Sequence, residues 1–227
     1  MMKTARSFKM KNKGQSFVEL ALLMSTLLLL VTGLIEFGNM LNQYVNLVDG
    51  AREGARYGSN LDPFFNETTS ADDYTVDPQT SFYNHVDFII EGNLTADPTI
   101  RTSSLSPLFL DRHPEDQPGF RDPTGVAYKR TDILITVYSV SQGAILHKWP
   151  TWHAYPGSGQ VSQIQDSVVT GQLNSVAPNT GIVLVEIFYN YFQLLKLPFF
   201  TAVIADPIPL HAYAFMPLAG AEPTPTP

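Results

Sequence analysis

Cysteine is absent from all 227 residues. No disulfide can brace this chain outside the cell, and zinc sites built on thiolates are excluded. A domain without covalent staples depends on its own core, and about 160 residues follow the apolar segment near the N-terminus, enough to bury one. Positive charge is also scarce, with 14 Lys and Arg against 21 Asp and Glu. Five of the 14, namely Lys3, Arg6, Lys9, Lys11 and Lys13, crowd into Met1 to Gly14, which carries no acid. Setting them aside leaves nine basic against 21 acidic residues, a charge of −12. Such a body speaks against nucleic acid as a partner, because phosphate binding relies on basic patches. The basic block beside an apolar segment reads instead as a topological signal that stays in the cytoplasm, leaving the remainder extracytoplasmic.

Catalytic fingerprints are missing too. There is no P-loop, no dinucleotide-binding glycine pattern, no G-x-S-x-G elbow and no H-E-x-x-H. His85, His113, His147, His153 and His211 are scattered without ligand spacing and read as surface or internally satisfied residues. Asp111, Glu115, Asp116 and Asp122 lack the D-x-D-x-D-G order of a calcium loop and read as a solvated acidic stretch. No catalytic residue, metal site or cofactor is expected, and the chain is not read as an enzyme.

What the chain does have is one long hydrophobic run. Phe17 to Phe37 is apolar apart from Glu19, Ser25, Thr26, Thr32, Gly33 and Glu36. As a helix it measures about 30 Å, the thickness of a hydrocarbon core. No A-x-A-like cleavage site follows it, so it reads as a retained single-pass anchor in the bilayer rather than a secretory signal. The helical pattern continues beyond it. Leu41, Tyr44, Val48, Ala51 and Ala55 recur on one face, with Asn42, Asn46, Asp49, Glu53 and Arg56 opposite. The helix should end near Gly58-Ser59-Asn60, before Pro63, after about 65 Å from Gln15.

Two small-residue rows border the apolar stripe: Gly50, Gly54 and Gly58, and beside them Ala51 and Ala55. Small residues at this spacing let another backbone approach closely. Three helical glycines cost roughly 1 kcal/mol each against alanine, and close packing would offset that. The partner is either the protein's own globular domain or a neighbouring subunit; both readings stand. Arg52 and Arg56, one turn apart, either clamp carboxylates of a neighbour or of the body, or lie on an exposed face.

The start of the run carries a processing pattern. Gly14 is followed by Gln15, Ser16, Phe17, Val18 and Glu19, and a short basic leader, a glycine and a glutamate five residues later describe a type IV prepilin-like signal. A cut after Gly14 leaves the helix on the mature protein. A carboxylate deep in a bilayer costs roughly 2.5–3.5 kcal/mol. Glu19 either reaches water at the interface or pairs with the new amine of Gln15, on its own or an adjacent chain.

Three blocks together resemble the TadE/TadG-like family, the pseudopilin or minor-pilin-like proteins of bacterial tight-adherence (Flp-type) pilus systems. They are Gly14-Gln15-Ser16-Phe17-Val18-Glu19-Leu20-Ala21, Ile35-Glu36-Phe37-Gly38, and Ala51-Arg52-Glu53-Gly54-Ala55-Arg56-Tyr57-Gly58. Val185-Glu186-Ile187-Phe188-Tyr189-Asn190-Tyr191 is loosely similar to the family's late strand. The resemblance implies a prepilin peptidase acting at Gly14, assembly with other pilin-like subunits or with itself through the N-terminal helix, and a role in pilus assembly or surface adhesion. Glu19, Glu36, Gly50, Ala51, Arg52, Gly54, Ala55, Arg56 and Gly58 form the expected packing and assembly set. The competing reading is a membrane-tethered binding or adhesin module outside any filament.

The expected fold is α+β, a long N-terminal helix followed by an antiparallel-sheet, pilin-like exported domain. The expected divisions are a leader at 1–14, the helix at 15–59, the exported domain at 60–217 and a Pro/Thr-rich flexible tail at 218–227. Within the domain, Asn60 to Asp77 reads as irregular, and Asp77-Pro78 as the start of a helix carrying Phe82, Val86, Ile89 or Ile90, and Leu94. Arg101 to Arg130 reads as a surface excursion or contact site. Ile133 to Val140 and Ala144 to Trp149 read as strands joined by a turn at Ser141-Gln142-Gly143. Gln160 to Leu173 reads as a short helix. Gly181 to Phe192, apolar on both faces, reads as a covered central strand. Ile208 to Met216 reads as an edge strand or one starting a little after Pro209.

Overall fold

The structure is a computed structural model that describes residues 15–66, 71–72, 77–94, 131–171, 179–196, 201, 204 and 206–221. The leader at 1–14, the excursion at 101–130 with Asp111, His113, Glu115, Asp116 and Asp122, and the tail from residue 222 lie outside the described residues. The first element, α1, is one unbroken helix over Gln15–Gly58. Nothing in that stretch is proline, and leucine, alanine and methionine favour the conformation. Its end is capped from beyond: the Ser59 amide donates to Ala55 O at 2.9 Å, and the Ser59 hydroxyl and Asn60 amide group both donate to Arg56 O.

A small hairpin follows, β1 (Phe65–Asn66) with β2 (Ala71–Asp72), inside a region expected to be irregular. Helix α2 spans Thr80–Leu94, so Asp77-Pro78 lies just before it rather than opening it. Then come β3 (Asp132–Ser141), β4 (Ala144–Lys148), β5 (Trp152–His153), the short helix α3 (Asp166–Gly171), β6 (Thr180–Tyr191) and β7 (Ile208–Pro217). The main sheet is antiparallel in the order β4-β3-β6-β7, with β5 pairing the same edge of β3 as β4 does. The fold is α+β, as expected. Strand β6 lies centrally and is buried almost throughout, while the proline-bearing β7 takes the edge. The β3–β4 turn holds Gln142 and Gly143 at φ of 51° and 79°, the primed geometry that suits a two-residue hairpin.

Two further differences lie between β4 and β6. Of the segment expected to be helical over Gln160–Leu173, the described part, residues 160–171, is helical at Asp166–Gly171; residues 160–165 have no regular structure, and the Gln163 amide donates to the Glu186 carboxylate at 3.0 Å. Strand β5 was not anticipated. It exists because Trp152 stacks on Tyr83 of α2, ring centres 5.6 Å apart and nearly parallel, while its backbone pairs with Leu134 and Ile135.

The two sheet faces differ. Ile133, Ile135 and Val137 of β3, Val183, Val185 and Ile187 of β6, and Ala212 and Ala214 of β7 face α1 and α2 in the main core. The alanines are small where α1 crosses β7. On the opposite face Tyr138, Val140, Ile182 and Leu184 meet Val169 of α3 and Ile164.

Helix α2 runs antiparallel to the outer part of α1 along the glycine row. A Cβ added at Gly50 would meet Leu94 at 2.9 Å, one at Gly54 would meet Ile90 Cγ1 at 2.3 Å, and one at Gly58 would meet Val86 at 3.0 Å. Three apolar side chains spaced by four thus fill three gaps spaced by four. Leu47, Ala51 and Ala55 are buried in the main core beside this seam. Gly54→Leu should therefore destabilise the head by about 1–3 kcal/mol or more through overpacking. Gly38, with nothing within 4 Å of its would-be Cβ, is the control. Gly38→Ala should gain roughly 1 kcal/mol of helix propensity. Urea denaturation of the detergent-solubilised protein measures both.

Candidate functional site

The features suited to function lie along α1. From Ser16 to Val31 the helix is bare on every side, with Phe17, Leu22, Leu23, Leu28 and Leu30 all exposed. Glu19 is also on its exposed surface. By length and composition this helix is able to cross a membrane. The outer part divides by face. Gly50, Gly54 and Gly58 lie under α2, and Leu47, Ala51 and Ala55 face the core. Leu41 and Tyr44, expected on the packed stripe, are exposed, as is Val45, whereas Leu47, absent from the expected stripe, is wholly buried. At 100° per residue, Leu34, Leu41, Val45, Arg52 and Arg56 fall close to one line, spaced 7, 4, 7 and 4. That line faces away from the head. The two arginines pair along the helix itself: Arg56 grips Glu53 with both ends of its guanidinium, its shortest contact 2.7 Å, and Arg52 lies 3.6 Å from Asp49. Exposed pairs of this kind add little stability.

Glu36 joins helix and head. Its carboxylate accepts the Tyr191 hydroxyl at 2.5 Å, the Leu194 amide at 2.8 Å and the Leu195 amide at 3.0 Å. Asn39 donates to the same tyrosine oxygen at 3.2 Å. Burial and then the neighbouring Glu36 carboxylate push the Tyr191 hydroxyl up to about 12, so it stays a donor. Charge-assisted bonds to three donors hold the end of β6 against the helix. Glu36 was expected in the packing set, and it bonds to its own head. Glu36→Ala should leave the Leu194 and Leu195 amides exposed to solvent exchange, and hydrogen-exchange mass spectrometry should find that segment exchanging faster while β3 and β6 stay protected.

The head holds three further carboxylates, two of them fully buried and one half-buried. Asp132, fully buried, accepts from the Ile133 and Tyr155 amides, from Ser158 Oγ at 2.5 Å, and bonds His153 Nδ1 at 2.7 Å. Ser, His and Asp meet here, but the serine donates to the aspartate and not to the histidine, so no base activates it. Glu186, also fully buried, bonds His211 Nε2 at 3.0 Å. The histidines read as structurally satisfied thus include His153 and His211, each on a buried carboxylate; His85 is exposed and His147 lies edge-on to Trp149. Among the described residues no group of three His, Asp or Glu is placed to hold a metal.

The third carboxylate, Asp87 of α2, is pushed up to about 8 by burial first and then by the Glu91 and Asp132 carboxylates. A raised folded-state value means that the folded protein holds the proton more tightly than the unfolded chain, whose aspartates titrate near 4. The stability this group contributes is full below about pH 4 and is lost as pH rises through about 8. Asp87→Asn should flatten the fall in thermal midpoint across that window, as read by circular dichroism melts.

A head carried on one exposed apolar N-terminal helix is the build of a singly membrane-anchored protein. The family comparison is more specific: the model of the TadE-like proteins matches residues 14–56, which spans the anchor and most of the outer part of α1. Over that stretch the chain is similar to TadE-like proteins. No curated protein and no solved structure matches the chain.

Proposed function

We propose that this protein is a TadE-like minor pilin or pseudopilin, acting structurally in pilus assembly or surface adhesion. The observation that carries the reading is the division of α1. Its head occupies one side of the outer helix, and the opposite side keeps Leu34, Leu41 and Val45 exposed in line with the bare anchor. A helix that only tethered a domain would need no apolar seam outside the bilayer. A 7-4 spacing suits packing against a second helix, from another pilin-like subunit or another copy of this one. The glycine row is taken by α2, so the neighbour meets the Leu41–Val45 side. Arg52 and Arg56 lie further along that side and meet acidic groups of the next subunit.

The leader stays on the cytoplasmic side, the head is extracytoplasmic, and a prepilin peptidase cuts after Gly14. The freed amine of Gln15 lies one turn from Glu19, which neutralises it on its own or a neighbouring chain. A tethered binding module is the second reading, favoured by an open cleft of about 520 Å³ between Phe188, Asn190, Pro209 and His211.

Cysteine pairs engineered across the Leu34–Val45 side test the assembly, scored together with pili and with the intact mass of the membrane-extracted protein. The parent should lack the leader and crosslink between chains. Gly14→Leu should leave an uncut precursor that inserts. Glu19→Leu and Val45→Asp should insert with a folded head yet lose crosslinks and pili. Normal crosslinks and pili in both would return this side of the helix to a passive role and favour the tethered module.

A further inference from the structure

The connection between β6 and β7 is stitched to one level of α1 at both ends. At its start, Leu194 and Leu195 give their amides to Glu36. At its end, Gln193 closes back on the chain, its amide donating to Asp206 at 3.0 Å and its side chain to Ile204 O at 3.3 Å. Gly33, Phe37 and Met40 of α1 share a small apolar hollow of about 100 Å³ with Ile204 and Ile208. Glu36 stands in the last turn of the apolar run Phe17 to Phe37, whose length matches a hydrocarbon core. The connection is therefore held where α1 leaves the bilayer.

Its chemistry suits that place. From Leu194 to Ile204 the sequence reads Leu-Leu-Lys-Leu-Pro-Phe-Phe-Thr-Ala-Val-Ile, with Lys196 its single charge. At the two described ends the apolar side chains point out of the protein: Leu194 is 63% exposed and Ile204 43%. Beside them on the helix is Phe37, 56% exposed, which shares the hollow with Ile204. Exposed apolar side chains with a lysine close by, here Lys196 with its ammonium 5.7 Å from the centre of the Phe192 ring, have the composition of a bilayer interface. It also accounts for Glu36: a carboxylate at the edge of the apolar run is hydrogen-bonded by donors from Tyr191 and the start of the connection beside it.

We propose that the two ends of the β6–β7 connection form a second membrane contact, in which Leu194 and Ile204 enter the interfacial layer of the leaflet from which α1 emerges and hold the head down on the bilayer surface. The proposal rests on α1 being the membrane anchor. The far end of the sheet, where β4 pairs the end of β3 remote from Tyr191, stands away from the lipid.

The absence of native cysteine makes the test direct. Leu194→Cys, Ile204→Cys, Leu34→Cys and Leu146→Cys are each spin-labelled in the full chain, in nanodiscs of phosphatidylcholine and phosphatidylglycerol loaded with one copy. Power saturation then compares collision with oxygen, which concentrates in lipid, and with a water-soluble nickel chelate. Leu34 reports the span, and Leu146, 62% exposed on β4, reports water. Labels at 194 and 204 should share the oxygen preference of the label at 34, and adding Leu194→Asp should shift the label at 204 toward nickel without lowering the melting midpoint of the head. Labels at 194 and 204 that follow Leu146 while 34 remains in lipid overturn the second contact alone. Nickel access at 34 overturns the anchor and the proposal with it. Protection at 194 that occurs only in discs holding two copies assigns the patch to a neighbouring chain and overturns the proposal equally.

Discussion

Along residues 50, 54 and 58 helix α1 has no side chains, and Leu94, Ile90 and Val86 fill the space they leave. The rest of the head depends on that close approach. It sets the antiparallel course of α2, brings Leu47, Ala51 and Ala55 onto the sheet, and admits only alanine at 212 and 214 of β7 where α1 crosses. A larger residue at 54 would drive into Ile90 and push the whole α2 layer outward. Glycines in a helix are a local cost that tertiary packing offsets, and the offset comes from within the chain.

That single-sided packing leaves α1 a member of two systems. One side belongs to the head. The other runs from the bare part of the helix past Leu41 and Val45, and becomes charged further out, at Asp49, Arg52 and Arg56. With Tyr191 and two backbone amides on its carboxylate, Glu36 fixes how far down the helix the sheet reaches. The helix thus presents a different surface at each level: apolar and bare on all sides toward its N-terminus, latched to the head at Glu36, and half free beyond it.

The interior of the head is more polar than a small antiparallel sheet requires. Asp132 and Glu186 each sit at zero exposure and are each held by a histidine and by backbone amides, so the chain from Trp152 to Gln163 is fastened over the sheet by charge-assisted bonds as well as by apolar contact. With no disulfide available, these bonds hold a segment that has little regular structure of its own. Breaking one partner of such a bond leaves a carboxylate stranded in low dielectric, which makes the arrangement specific to one register of the covering segment.

Much of this was legible along the chain because it is local. The unbroken apolar run, the absence of proline from 15 to 62, the Gln142-Gly143 turn, the two-faced apolar pattern of β6 and the proline near the start of β7 each depend on residues a few positions apart, and the helix, hairpin, central strand and edge strand followed from them. The glycine row was visible as a site of close approach, but its partner was not, since Val86, Ile90 and Leu94 are brought to it by a turn of the chain that no local pattern encodes. The same holds for Leu41, whose spacing put it on the stripe expected to be buried although the head does not reach that far round the helix. Strand β5 is accompanied by a ring stack between Trp152 and Tyr83, and the non-helical course of residues 160–165 by a bond to Glu186, each across many residues of sequence. Sequence periodicity determined which faces of the elements are apolar; only tertiary structure decided which apolar face meets which, because that choice is made by shape and by the placement of buried charge between segments far apart in the chain.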